Sequence, residues 1–147
     1  MKEAELDIIE AKCYLHNDDF LRILARSVYQ PTPQRLWTRA ERYQKQPDSV
    51  VFAAIYQEHI CGIIVADIIS LHSIIILDIA VSEALEHQGI GKAMIFHLIE
   101  EYRPAEICAQ TDDDAVGFYR HLGFEINMAE EKYKGVTRYN CIYTCNY

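Results

Sequence analysis

The sequence lacks any apolar run long enough to cross a membrane. Its longest runs, residues 60–66 and 74–77, are far shorter than the roughly 20 residues that a membrane-spanning helix needs. The first five residues also lack the apolar core of a signal peptide. We therefore expect a cytoplasmic protein that does not associate with a membrane.

Patterns typical of metal sites and disulfide frameworks are missing as well. The five cysteines are odd in number and scattered, with no Cys-x-x-Cys pair. The six histidines form no cluster at metal-ligand spacing. The sequence therefore predicts free thiols and no metal, and we assign no catalytic role to any histidine.

Positive charge is scarce, since 14 Lys and Arg residues stand against 22 Asp and Glu residues and the net charge is -8. Such a charge repels the phosphates of nucleic acids and anionic membranes, so we expect neither as a partner. A cationic substrate would be favoured mildly. The simpler interpretation is that the charge keeps the protein in solution.

No repeat, low-complexity tract or linker divides the 147 residues. The one proline cluster, Pro31-Thr32-Pro33, is typical of a break between helices. Half of the residues are hydrophobic and 24% are charged, which are the proportions of a packed globular protein. We expect a single domain over residues 1–147.

Hydrophobic periodicity predicts an α+β fold with a mixed sheet. A first strand is followed by a helix that begins near Asn17 or Asp18, and by a second helix after the prolines. The predicted strands are residues 6–14, 50–56, 60–69, 73–81 and 106–110 with two closing strands, and the later helices are residues 91–102 and 112–122.

A strand that feeds a glycine-containing turn is the most informative segment. The apolar residues 74–81 lead to Glu86-His87-Gln88-Gly89-Ile90-Gly91-Lys92-Ala93, which opens a helix. Without Cβ atoms, Gly89 and Gly91 let a ligand approach the backbone, where free N–H groups and the helix dipole favour a pyrophosphate. A Walker A loop is excluded by Glu86 and Ala93, and a Rossmann fingerprint would need a third glycine near Met94. The two glycines alone could equally have a purely structural role.

A second segment follows at residues 110–124. Asp112 can cap a helix, and Phe118 and Leu122 lie four residues apart on one face of it, with Tyr119 one step round. Taken without context, Tyr119 would be interpreted as a core aromatic residue.

The two segments together resemble the GNAT superfamily of acetyl-CoA-dependent N-acyltransferases. The family pattern Gln/Arg-x-x-Gly-x-Gly/Ala is similar to residues 86–91 at both glycines. The later pattern Asn-x-x-Ala-x-x-x-Tyr-x-x-x-Gly-Phe matches at its last four defined positions, which here are Ala115, Tyr119, Gly123 and Phe124, while Asp112 replaces the Asn. Both patterns occur in the family's order and spacing.

This resemblance implies a mostly antiparallel sheet that is splayed between its fourth and fifth strands, with about four flanking helices and acetyl-CoA in the gap. It implies that Tyr119 is the catalytic general acid for the departing thiolate. The implied cofactor-binding residues are Ile79, Ala80 and Val81 along the pantetheine arm, His87, Gln88, Gly89, Ile90, Gly91, Lys92 and Ala93 around the pyrophosphate, and Asp112, Phe118 and Tyr119.

The resemblance also places a Glu of the family at the positions of Leu77 or Ile75, and both residues are apolar here. We therefore expect an ordered water, and no strand carboxylate, to take the proton of the amine. Asp78 should point to the opposite face from these two residues unless a bulge shifts the register. Asp78 is either an acid near the reaction centre or a buried carboxylate bonded by backbone N–H groups, and we favour the second.

The implied function is transfer of acetyl from acetyl-CoA to a primary amine of a small molecule, by direct attack in a ternary complex. The alternatives are a protein or peptide N-acetyltransferase and an acyl-CoA-binding sensor without turnover. The arginines and lysine along the second helix, Arg35, Arg39, Arg42 and Lys45, are typical of a solvated face. The resemblance implies that this region borders the acceptor, so these side chains could also touch the substrate. Exposed strands near the C-terminus could pair with a second copy, so a homodimer is one expected arrangement.

Overall fold

A seven-stranded sheet forms the centre of the computed structural model, which describes residues 5–133 and 135–147. Its order is β1-β2-β3-β4-β5-β7-β6. The strands are β1 (Asp7–Glu10), β2 (Ser49–Tyr56), β3 (His59–Ile68), β4 (Ser73–Val81), β5 (Glu106–Asp112), β6 (Glu125–Tyr133) and β7 (Val136–Thr144). Each neighbouring pair is antiparallel except β4 and β5, which run parallel. The α+β fold expected from the sequence is confirmed.

Four α-helices flank the sheet in the described part of the chain. They are α1 (Asp18–Leu24), α2 (Pro33–Lys45), α3 (Ile90–Tyr102) and α4 (Val116–His121). Asn17 begins α1, because its Oδ1 accepts hydrogen bonds from the N–H groups of Asp19 at 2.9 Å and Phe20 at 3.3 Å. Thr32 begins α2 in the same way by accepting from the N–H of Arg35.

Both faces of the sheet are buried, because β3 alternates between two apolar cores. Ile63 and Val65 face α1 and α2, where they pack with Phe20 and Tyr43. Ile64 faces the other way, into the core formed with α3 and α4. The helices therefore form one layer on each side of the sheet.

The first strand is shorter than predicted. It ends at Glu10, and residues Lys12–Tyr14 form a single 3-10 turn. The side chain of Lys12 turns to the carbonyl oxygens of Gln46 at 2.7 Å and Ser49 at 3.0 Å, after the end of α2. These bonds connect the turn after β1 to the segment between α2 and β2.

The second difference concerns the boundary between β5 and α4. Asp112 ends β5, and the helix begins only at Val116, not at Asp112. The Asp112 Oδ1 accepts from the N–H groups of Asp114 at 3.0 Å and Ala115 at 3.2 Å, so the carboxylate stabilises a turn before the helix.

A β-bulge interrupts β4 and changes the direction of Asp78. Asp78 pairs with Val65 and Ile76 pairs with Ala66, so Leu77 is an extra residue between them. Leu77 packs with the core under α1 and α2, and Asp78 bonds to side chains from the same side. Opposite faces were expected for these two side chains only in the absence of a bulge, and the bulge breaks the alternation, so both lie on the same side of the sheet.

All five cysteines are free thiols. Among the residues that the structure describes, no helix is long and apolar enough to span a membrane.

Candidate active site

A cleft opens where β4 and β5 separate. The two strands pair only from Ser73 with Glu106 to Ile76 with Ala109, and beyond this point they diverge. The cleft has a volume of about 1200 Å³ and extends from the start of α3 past both strands to α2. The splay implied between the fourth and fifth strands is confirmed.

One end of the cleft is the turn before α3. Gly89 has φ +82° and His87 has φ +64°, so the chain passes twice through the left-handed region. Helix α3 then begins at Ile90 without a capping side chain, and its first helical bond runs from the N–H of Ala93 to the oxygen of Gly89 at 2.9 Å. The N–H groups of residues 90–92 therefore have no partner within the helix, which favours an anion.

The two glycines of the turn differ in what surrounds them. A Cβ on Gly89 would have no atom within 4 Å, so this glycine borders open space. A Cβ on Gly91 would lie 3.0 Å from the Phe118 ring, which packs directly over the helix backbone. Gly89 therefore leaves room for a ligand, whereas Gly91 makes room for Phe118.

Glu86 brings its negative charge to the turn together with a counterion. Its Oε1 accepts a hydrogen bond from Nη2 of Arg26, and Nη1 of the same arginine lies 4.0 Å from Glu83. Arg26 comes from the 3-10 turn after α1 and lines the cleft. This ion pair offsets the negative charge of Glu86, which stands where the family pattern has Gln or Arg. A second cation, Lys92, also lines the cleft, and its Nζ lies 5.9 Å from the centre of the Phe96 ring.

Tyr119 lies in the wall of the cleft with its ring held in the core. It is only 4% exposed and makes edge contacts with Phe118 and Phe124, each with ring centroids 5.1 Å apart. Burial raises the pKa of Tyr119 well above its usual range, and the nearby Cys141 and Asp78 raise it further. The phenol is therefore protonated at neutral pH.

Asp78 occupies the far end of the cleft as the centre of a buried polar network. Its Oδ1 accepts from Ser27 Oγ at 2.9 Å and its Oδ2 from Arg39 Nη1 at 2.9 Å. The Tyr43 hydroxyl also donates to Oδ2. Its carboxylate is satisfied by three side chains, where the sequence interpretation favoured backbone N–H groups.

Two members of the network, Tyr43 and Arg39, have raised pKa values. Burial raises the pKa of Tyr43, and the Asp78 carboxylate raises it further, so the phenol remains a donor. Burial by itself lowers the pKa of Arg39, but Asp78 and Tyr43 outweigh it and the net shift is upward. Arg39 therefore points into the protein. Its helical spacing had indicated a fully solvated face, and the structure differs from that expectation.

The structure brings most of the predicted site residues to this cleft. Those that line it are Ile79, Ala80, Val81, His87, Gly89, Ile90, Gly91, Lys92, Asp112, Phe118 and Tyr119. Gln88 and Ala93 belong to the same turn but do not line the cleft. The prediction missed Arg26 and Ser27 and placed Arg39 on a solvated face, since the partners of all three are distant in the sequence and no local pattern marks these contacts.

No cluster of His, Cys, Asp or Glu able to hold a metal ion occurs in residues 5–133 and 135–147. The cleft therefore offers polar side chains, backbone N–H groups and one buried phenol for chemistry.

Comparisons with solved structures identify this fold. A protein assigned to the GNAT family of acetyltransferases from Desulfovibrio desulfuricans has a TM-score of 0.76 and 16% identity, over 95% of this chain and 99% of that one. An aminoglycoside 6'-N-acetyltransferase complexed with coenzyme A has a TM-score of 0.75 and 15% identity, over 94% of this chain and 96% of that one. The ribosomal-protein-S18-alanine N-acetyltransferase from Escherichia coli has a TM-score of 0.69 and 17% identity, over 95% and 91%.

The sequence itself has no significant match among curated proteins. Residues 13–124, however, match the model of the acetyltransferase (GNAT) family, and this match includes both motifs and most of the chain. The chain therefore belongs to the acetyltransferase (GNAT) family.

Proposed function

We propose that the protein transfers an acetyl group from acetyl-CoA to the primary amine of a small molecule, by direct attack in a ternary complex. The observation that carries the proposal is the cleft between β4 and β5, which has an anion-binding turn at one end and a buried Tyr119 in its wall. Membership of the family supplies the reaction class, and one neighbour was solved with coenzyme A.

The residues of the turn fit the pyrophosphate of acetyl-CoA. Open space at Gly89 and the uncapped N–H groups at the start of α3 suit a phosphate oxygen. Residues 79–81 lie on β4 beyond the last pair with β5, so their backbone is available to hydrogen-bond the pantetheine arm on that side. Gln88, Ala93 and Asp112 complete the proposed binding set.

Tyr119 is the general acid in this proposal. The amine nitrogen attacks the thioester carbon while backbone N–H groups polarise the carbonyl, a C–N bond forms and the C–S bond breaks. The departing thiolate takes the phenolic proton of Tyr119, and the proton of the new ammonium group passes to an ordered water. Solvent then restores the proton of Tyr119.

Asp78 is a positioning residue in this scheme and not the base. Three donors, one of them the Arg39 guanidinium, already occupy its oxygens. Each of the two oxygens already accepts two hydrogen bonds, which fills the roughly four acceptor sites of a carboxylate and leaves none for the amine. Its network fixes Arg39 and Ser27 at the end of the cleft nearest α2.

Amine-dependent release of free CoA thiol from acetyl-CoA tests the function. We expect release with at least one small primary amine from a panel of amino acids, polyamines, aminoglycosides and peptides, with formation of the acetylated product. Tight acetyl-CoA binding without any release would identify a sensor. Release with peptides alone would favour the peptide alternative, a class represented among the neighbours by the ribosomal-protein acetyltransferase.

The pH dependence of turnover separates a water from Asp78 as the proton acceptor. An alkylamine attacks only when neutral and has a pKa near 10.4, so kcat/KM should rise with pH towards about 10. Because the pKa of Tyr119 is raised, the acid remains protonated where an ordinary tyrosine would ionise, and no descending limb should appear below about pH 10. A profile measured for wild type and a folded Asp78→Asn protein should keep the same slope.

A different pH profile would contradict the assignment of the base to water. A plateau above an acidic pKa that disappears in folded Asp78→Asn, with a rate loss of about 10²-fold or more, would make Asp78 the base.

The proposal extends to the organisation of the protein. It includes a single domain over residues 1–147, a cytoplasmic location and no nucleic acid or membrane partner. Strands β1 and β6 lie at the two edges of the sheet, and a homodimer that forms through the C-terminal strands would use β6.

A further inference from the structure

A second cavity, of about 660 Å³, adjoins the end of the cleft at α2. It is bounded by the first three turns of α2 and by the segment of residues 28–32 that precedes it, and it shares Tyr29 and Arg39 with the cleft. None of the residues of the turn that suits the pyrophosphate lines this second cavity. The second cavity is therefore placed to hold the acceptor.

The charge of this cavity has the opposite sign from that of the whole protein. Three of its lining side chains are arginines, Arg35, Arg39 and Arg42, and no Asp or Glu is among the others. The chain as a whole carries a net charge of -8. A local positive field in an acidic protein concentrates anions at this place.

The three arginines differ in the hydrogen bonds and ion pairs that they form with the rest of the protein. Arg39 donates through Nη1 to Asp78 and Tyr43, which fixes its guanidinium while 31% of the side chain remains exposed. Among the described residues, the side chain of Arg35 makes only long hydrogen bonds to Gln30, at 3.4 and 3.5 Å. In the described chain neither Arg35 nor Arg42 has a carboxylate partner, and Arg42 lies 5.4 Å from the centre of the Tyr43 ring.

We propose that the acceptor is a small amine that also carries an anionic group, a carboxylate or a phosphate, which Arg35 and Arg42 bind beside Arg39. This inference rests on the proposed function and names its substrate class. Guanidinium groups bind planar or tetrahedral oxyanions through paired N–H donors, and one or two of them can fix the anion while the amine extends into the cleft. The net charge of the whole protein mildly favours a cationic substrate, whereas the arginines of this cavity favour a substrate that carries an anionic group in addition to its amine.

Matched pairs of amines test the inference through CoA release. γ-Aminobutyrate is compared with butylamine for the carboxylate, and phosphoethanolamine with ethanolamine for the phosphate. Each kcat/KM is corrected to the neutral fraction of the amine. We expect at least one anionic member to exceed its uncharged partner by about tenfold or more, since hydrogen bonds to charged groups contribute at this level. The pair with the larger ratio identifies the anion.

Substitution of the cavity arginines tests whether they cause this preference for an anionic amine. Arg35→Gln and Arg42→Gln should each reduce the ratio between the preferred anionic amine and its uncharged partner by several-fold, and the double variant should remove it. Arg22→Gln is the matched control, because Arg22 is exposed on α1, pairs with Asp19 and lines neither cavity. It should keep the wild-type ratio.

The outcomes distinguish this inference from the proposed function. If butylamine and ethanolamine turn over at rates equal to or above those of their partners with an anionic group, the inference is wrong and the proposed function is unaffected. A ratio that survives in the folded double variant, or a preference for an acidic peptide over every small anionic amine, likewise overturns the inference alone. Failure of every amine and peptide to release CoA overturns the proposed function, and the inference falls with it.

Discussion

Replacing Tyr119 by Phe is expected to lower kcat by about 10²- to 10⁴-fold, the usual contribution of a general acid. The change removes one hydroxyl and leaves the ring, whose contacts with Phe118 and Phe124 hold it in the core. The affinity for acetyl-CoA should therefore change little. Steady-state kinetics with a good acceptor and calorimetric titration of acetyl-CoA measure the two quantities separately.

Tyr143→Phe is the matched control for this experiment. Tyr143 packs against Phe124 with ring centroids 5.3 Å apart, but it does not line the cleft. It should turn over at the wild-type rate. Equal rates for wild type and Tyr119→Phe would make Tyr119 a core residue only.

A Gly89→Glu protein is expected to lose acetyl-CoA binding, by about 10²-fold or more in affinity, which corresponds to roughly 3 kcal/mol. The new side chain enters the open space beside the start of α3 and brings a negative charge to the place where a pyrophosphate would lie. Isothermal titration calorimetry on protein shown to be folded by its thermal unfolding provides the measurement.

Gly89→Gln separates the charge from the backbone. Both variants add a side chain of the same length at φ +82°, so both carry the same left-handed strain. A substantial difference in acetyl-CoA affinity between Gly89→Glu and Gly89→Gln measures the effect of the negative charge. Gly91 is less suitable for this test, because any side chain there would displace the Phe118 ring. Undiminished affinity in folded Gly89→Glu would remove the pyrophosphate from this turn.

Much of the architecture follows from local signals in the sequence. The alternation of large aliphatic residues predicted β2, β3 and β4 to within a residue or two of their ends, and the capping residue Asn17 and the proline cluster mark where the first two helices begin. The glycine turn could be located because a strand, a φ > 0 position and an uncapped helix leave a recognisable residue pattern.

Features that depend on distant contacts could not be predicted. Nothing in the run Ile74-Ile75-Ile76-Leu77-Asp78 marks Leu77 as the bulged residue, and the position of Asp78 follows from that bulge. Likewise, Arg39 has the helical spacing of a solvated residue, but its partner is 39 positions away. The ion pair of Arg26 with Glu86 spans 60 positions. Such pairs are set by tertiary packing, which local periodicity does not encode.

The strand order has a consequence for how the chain acquires its fold. Strands β2, β3 and β4 are joined to one another by short turns, so this part of the sheet forms from contacts that are close in sequence, and β1 pairs with β2 across α1 and α2. In the other half β6 and β7 are consecutive antiparallel strands, and it is β7 that pairs with β5. Within the sheet, the two halves are joined by the four residue pairs of β4 and β5. The halves are therefore candidates for separate cooperative units, and a ligand that spans the cleft would couple their unfolding.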